Sequence, residues 1–125
     1  SYNQAKSASE MITDIKTGGE VHSFKEYVIE QILNELTKES QKTYLNILMD
    51  TGAKEIFSDE EIVFTAIGFI ENDLNVSETS RKLFLHRNTL MYRLDKIEKV
   101  TGLNIRKFSD ALTFKLIAIL IKAVK

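Results

Sequence analysis

"NVSETSRKLFLHRNTLMYRLDKIEKVTG", residues 75–102, is the stretch whose reading decides the fold. Ser77 offers an N-cap hydroxyl, and Glu78 places a negative charge in the first turn, where the helix dipole favours it. A short helix follows, carrying Thr79, Ser80 and Leu83. Phe84 and Leu85 interrupt it, and a second helix starts near His86 to Asn88. Leu90, Leu94 and Ile97 recur at helical spacing along its buried face. Gly102 supplies a left-handed stop. Two helices, of about seven and fourteen residues, joined by a turn of about three, have helix-turn-helix geometry. Small Ser80 stands where the helices would cross, and Leu83, Leu85, Leu90 and Leu94 fill the angle between them. This arrangement leaves Arg87, Thr89, Tyr92, Arg93 and Lys96 pointing away from that core. The generic motif prefers glycine in the turn, where this chain has Phe84. The turn is therefore expected to differ in detail, or Phe84 to cap the core.

In a helix-turn-helix the second helix enters the major groove, and its first residues reach base edges. Arginine can bond guanine bidentately and asparagine adenine, while threonine offers a hydroxyl and a methyl. Arg87 and Thr89 are assigned direct DNA contact, and Ser77 a phosphate contact through its helix-start amide. Thr79, on the first helix, belongs to the same set. His86 either caps the second helix or meets a phosphate, and Asn88 either caps that helix or reaches a base. Tyr92 contacts the DNA backbone or packs on the preceding helix. Met91 packs or meets a thymine methyl. For Arg93, phosphate contact or an intrahelical pair with Asp95 or Glu98 competes with base reading; Lys96 suits a phosphate. Catalysis by His86 lacks partners, since the only other histidine, His22, is remote in sequence and no carboxylate cluster accompanies either. No metal ligand set and no cofactor motif is found.

Charge agrees with this reading. Residues 81–107 hold eight Lys/Arg against two acids, a local +6, within a chain of net charge −1, so the remainder carries −7. A basic segment in an acidic chain suggests a polyanion-binding face, although a solvated helix surface would look the same. The absence of cysteine excludes disulfides, thiolate zinc sites and cysteine nucleophiles. The longest apolar run, residues 116–121, is far shorter than the ~20 residues a bilayer span needs. No membrane association is expected, and a cytoplasmic location fits.

Elsewhere the chain, which has no proline and five glycines, favours long helices. Residues 2–16 read as a short helix ending at Gly18-Gly19. "EVHSF", residues 20–24, is β-compatible but has no partner strand. Tyr27, Val28, Ile32, Leu33 and Leu36 form one helical stripe, and Tyr44, Leu45, Leu48 and Met49 a second. Ser58 and Glu61 have the spacing of a capping box, opening a helix with Val63, Ala66, Ile67, Ile70 and Leu74 on its apolar face. Asp59, Glu60 and Glu61 suit a helix start better than a metal site. The final helix, from after Ser109 to Val124, is apolar nearly all round and is expected to be buried on two sides, in the core or against a second subunit.

The motif residues carry a family resemblance. Asn75, Ser77, Thr79, Leu83, "HRNTL" (residues 86–90), "YRL" (92–94), Lys96-Ile97 and "TGL" (101–103) resemble the C-terminal domain of the CdaR/PucR-type regulators of sugar-diacid and purine catabolism. More loosely, they resemble the DNA-binding helices of the Fis nucleoid protein. Ser80 stands where the family usually has alanine. Residues 2–27 resemble, weakly, the tail of a GGDEF-like central domain. The resemblance implies an all-α helical bundle with a Fis-like helix-turn-helix, preceded by a short N-terminal helix and an extended remnant of an upstream domain. It divides the chain into a remnant at 1–24, a connecting helical region at 25–57 and a DNA-binding domain at 58–125. It implies a sequence-specific transcriptional regulator with its recognition helix at about 87–100, and not an enzyme. The expected partners are double-stranded DNA and a second copy of the chain. A small-molecule effector would bind an upstream region of a longer protein. The rival reading is a helical dimerisation or protein-interaction module that relays a signal without binding DNA.

Overall fold

Among the described residues, several helix ends are set by capping side chains and by left-handed residues. The computed structural model describes residues 21–49 and 52–125, with side chains from residue 27 onward. Among the described residues there are seven helices and no strand: α1 (Val21–Asn34), α2 (Lys38–Leu48), α3 (Ala53–Phe57), α4 (Glu60–Glu71), α5 (Val76–Leu83), α6 (Arg87–Thr101) and α7 (Phe108–Val124). The described residues fall into two compact units, divided after Lys38.

In the first unit, the extended segment expected at residues 20–24 is instead helical from Val21 onward. Val21, Phe24 and Val28 fall at i, i+3 and i+7, so the apolar stripe of α1 continues back through this segment. A lone strand would have left its amides unpaired, whereas a helix satisfies them internally. The helix expected at residues 2–16 and its Gly18-Gly19 stop lie outside the described residues.

In the second unit α3 to α7 enclose one core, built on Ile56, Ile62, Ala66, Phe69, Leu90, Leu94, Ile97, Ile105, Ala111 and Phe114. The rings of Phe57 and Phe114 stack obliquely with centroids 4.5 Å apart. The start of α4 differs from the capping box anticipated at Ser58 and Glu61. Asp59 is the N-cap, its Oδ1 accepting from the amides of Glu61 and Ile62 at 3.1 and 3.2 Å. Ser58 Oγ instead donates back to Lys54 O at 2.7 Å, closing α3. Five-residue α3 escaped the sequence reading, yet its Ile56 is fully buried. A side chain at Gly52, just before α3, would lie 1.9 Å from the Val100 carbonyl oxygen. Glycine is required there because two backbones touch.

Helix α4 ends when Asp73 and Leu74 turn left-handed, with φ 58° and 60°. The Leu74 amide donates to Phe69 O at 3.0 Å, and Asn72 Nδ2 to Gly68 O at 2.7 Å. The reversal brings α5 back across α4, so that Leu83 meets Gly68, where an added Cβ would come within 2.7 Å of Leu83 Cδ1. As expected, α6 stops at Gly102 in the left-handed region, φ 79°. The final helix has one fully covered face, Ala111, Phe114, Ile117 and Leu120, while Phe108 and Leu112 remain exposed.

Candidate nucleic-acid interface

The interface is laid out by the way α5 and α6 begin. The N-cap of α5 is Asn75, not Ser77: Asn75 Oδ1 accepts from the Glu78 amide at 2.8 Å. Ser77 therefore sits one step inside the helix, its amide ahead of the intrahelical ladder and its side chain exposed. Arg87, the first residue of α6, reaches it with Nη1 3.4 Å from Ser77 Oγ. The two helix starts thus lie together, with two sets of first-turn amides and a guanidinium on one surface.

His86 caps α6. Its Nδ1 accepts from the Asn88 amide at 3.0 Å, which leaves the ring hydrogen at Nε2, directed away from the helix. Asn88 is accordingly not the cap, and its side chain is exposed. Along α6, Leu90, Leu94 and Ile97 are fully buried. At 3.6 residues per turn the opposite face carries Asn88, Tyr92, Asp95 and Lys99, with Thr89 and Lys96 along one margin and Arg87 and Met91 along the other. Tyr92, 66% exposed, stands on this face.

Two predicted contact residues face elsewhere. Thr79 is fully buried, its Oγ1 donating to Asn75 O at 2.7 Å. The same carbonyl accepts the Thr79 amide at 3.0 Å, so this buried threonine satisfies its hydroxyl by bonding back to the carbonyl four residues earlier. The Arg93 side chain is only 20% exposed and crosses to α4. Its Nη1 donates to Thr65 Oγ1 at 2.8 Å and its Nη2 to Glu61 Oε2 at 3.2 Å. Because residue 93 borders the Leu90–Leu94 stripe, its aliphatic stem lies over the core, and the nearest anions are on α4. The candidate partners Asp95 and Glu98 are not used. Asp95 instead accepts from Arg106 Nη2 at 2.9 Å, and the same nitrogen lies 3.8 Å from Met91 Sδ. Arg106, from the α6–α7 connection, thereby neutralises the one acid at the centre of the exposed face.

Glu78 has a comparable role on α5. It pairs with Arg81 and, at 3.7 Å, with Lys82. Hydrogen bonding by the Arg81 guanidinium, assisted by the charge of Lys82, holds its carboxyl below the ordinary value of 4.5. Lys99 and Arg106 escaped the sequence-based choice of site residues. Projecting the face opposite Leu90, Leu94 and Ile97 would have found Lys99, but Arg106 follows the helix stop and carries no periodicity.

A short helix crossing a longer capped one, with a glycine stop and a polar, cation-edged outer face, is a helix-turn-helix by geometry. The family model for the PucR C-terminal helix-turn-helix domain matches over the same segment. The match to the PucR C-terminal helix-turn-helix domain, residues 63–120, covers α5 and α6 whole, most of α4 and most of α7. Similar proteins include YxkF of Bacillus subtilis, 40% identical over 84 residues, 66% of this chain and 28% of that protein. The purine catabolism regulatory protein of Bacillus subtilis is 30% identical over 78 residues, 62% of this chain and 15% of that protein. The carbohydrate diacid regulator of Escherichia coli is 42% identical over 48 residues, 38% of this chain and 12% of that protein. The chain thus spans a small part of each relative's length. No solved structure matches it significantly. No helix among the described residues is long and apolar enough to cross a membrane.

Proposed function

We propose that this chain supplies the DNA-binding output of a cytoplasmic transcriptional regulator, with α6 lying in the major groove of duplex DNA. The observation that carries this reading is the outer face of α6, set beside the start of α5 within a domain of the PucR helix-turn-helix type. Asn88, Thr89 and Arg87 occupy the first turn, the part of a recognition helix that reaches base edges. Tyr92, Lys96 and Lys99 follow further along, suited to sugar and phosphate. His86 Nε2 and the Ser77 amide supply uncharged donors for phosphate. Thr79 and Arg93 are positioning residues in this scheme, because burial and interhelical bonds occupy them.

One domain of this size offers few base contacts, so the chain acts as a homodimer on two half-sites about one helical turn apart. The exposed pair Phe108 and Leu112, one turn apart on α7, is the surface proposed for that dimer. An effector, if one is used, binds a region upstream of the helix-turn-helix in a longer protein. The proposed division of the chain keeps residues 1–24 as an upstream remnant and 25–57 as a connector. One adjustment is made: Ile56 is core to the second unit, so the DNA-binding domain includes α3.

The test is a duplex-DNA titration at graded salt. The affinity is expected to fall linearly on a log–log plot, because neutralised phosphates release counterions. Arg87→Ala is expected to flatten that dependence and to relax sequence preference. A folded, dimeric protein that binds no duplex would refute the proposal and favour the signal-relay module.

A further inference from the structure

Phe84 closes α5 in the left-handed region, at φ 54° and ψ 40°. Its own amide points to Arg81 O, and the Leu85 amide donates to Ser80 O at 3.0 Å. These are the two closing bonds of a Schellman turn, which demands a left-handed residue at this position and is usually met by glycine. An aromatic L-residue is disfavoured there, since its Cβ crowds the backbone. Packing elsewhere in the domain does not offset that cost, because the ring is 95% exposed. Phe84 therefore neither caps the core nor relaxes the turn. The free domain would be better served by glycine.

The surroundings indicate what the ring meets. Arg81 and Lys82 precede it on exposed positions, and Arg87 follows it at the start of α6, against Glu78 as the nearby acid. An apolar protein surface would have to bury these cations without partners, whereas a nucleic acid offers phosphates for them and carbon-rich edges for the ring. We infer that Phe84 makes an apolar contact with duplex DNA, to a thymine methyl or a deoxyribose, at the edge of the surface formed by α6. This rests on the DNA-binding reading above and adds a residue to it.

The experiment compares the unaltered chain with Phe84→Gly, Phe84→Asn and Phe84→Tyr on one duplex, selected by the unaltered chain from a random-sequence pool. Glycine and asparagine both accept the left-handed turn but remove the ring. Both are expected to raise the thermal midpoint and to weaken binding roughly fivefold to tenfold, as loss of a partly buried ring implies. The salt dependence is expected to stay the same, because no charge is lost. Phe84→Tyr is expected to bind like the unaltered chain. Replacing thymine by uracil in the duplex separates the two contacts. An effect of Phe84→Gly that vanishes on uracil DNA assigns the methyl, and one that persists assigns the sugar; either supports the contact. Unchanged affinity of Phe84→Gly and Phe84→Asn for a duplex the unaltered chain does bind overturns it while leaving the DNA-binding reading intact. An unaltered chain that binds no duplex at all overturns both.

Discussion

Ser80 is a small residue on α5 whose side-chain oxygen is buried. That oxygen has no hydrogen-bond partner. A buried hydroxyl left unsatisfied costs about 1–3 kcal/mol, and serine is a weaker helix former than alanine. Ser80→Ala keeps the side chain small and removes the orphaned oxygen, so it is expected to stabilise the domain by roughly 1 kcal/mol. Urea unfolding checks this through a raised midpoint at unchanged slope. A lowered midpoint would mean that the hydroxyl has a partner in solution.

Between elements, Arg93 joins α6 to α4 through Thr65 and Glu61. Thr65 is fully buried, its hydroxyl donating to Glu61 O at 2.8 Å while accepting from Arg93. Glu61 is 80% exposed, so its ion pair with Arg93 contributes little; the bond to Thr65 contributes more. Arg93→Ala is expected to cost about 1–2 kcal/mol in urea unfolding, from that bond and the lost cover of the stem. Its DNA affinity is expected to fall while the salt dependence stays unchanged. A slope reduced by about one unit would instead mean that Arg93 touches a phosphate. The helix-turn-helix itself was legible in the sequence, because Leu90, Leu94 and Ile97 mark one face and Gly102 stops the helix. The direction of Arg93 was not legible, since a flank position turns inward or outward according to what the neighbouring helix presents. Thr79 was misassigned for a related reason: nothing in its local sequence shows which side of a short, mostly polar helix α4 will cover. The caps at Asn75 and Asp59 were each misplaced by one or two residues, because serine, aspartate and asparagine compete for the same role.

Across the whole molecule, the +6 segment of residues 81–107 is trimmed by acids within it and just before it. Glu78 engages Arg81 and Lys82, and Asp95 engages Arg106, so three of the eight cations start from an internal pair or share one. The proposed DNA binding would compete with these pairs, and removing an acid is expected to release cations to phosphate. Glu78 gives the clearest case, because its carboxyl is held below 4.5 by Arg81 and Lys82 and so is charged through the neutral range. The sign follows from that depression. The pairing contribution to the fold is present above 4.5 and is lost as pH falls through the lowered value. Glu78→Gln is therefore expected to bind duplex DNA about two- to threefold more tightly near neutral pH and low salt. That gain fits surface charges interacting across water and is expected to shrink as salt screens them. It is also expected to disappear on acidification below 4.5, where the unaltered carboxyl protonates and the two proteins converge. Parallel titrations of both proteins, by fluorescence anisotropy at two salt concentrations and across that pH range, measure the difference directly. A gain independent of salt and pH would trace the effect to helix structure and not to the freed charges of Arg81 and Lys82.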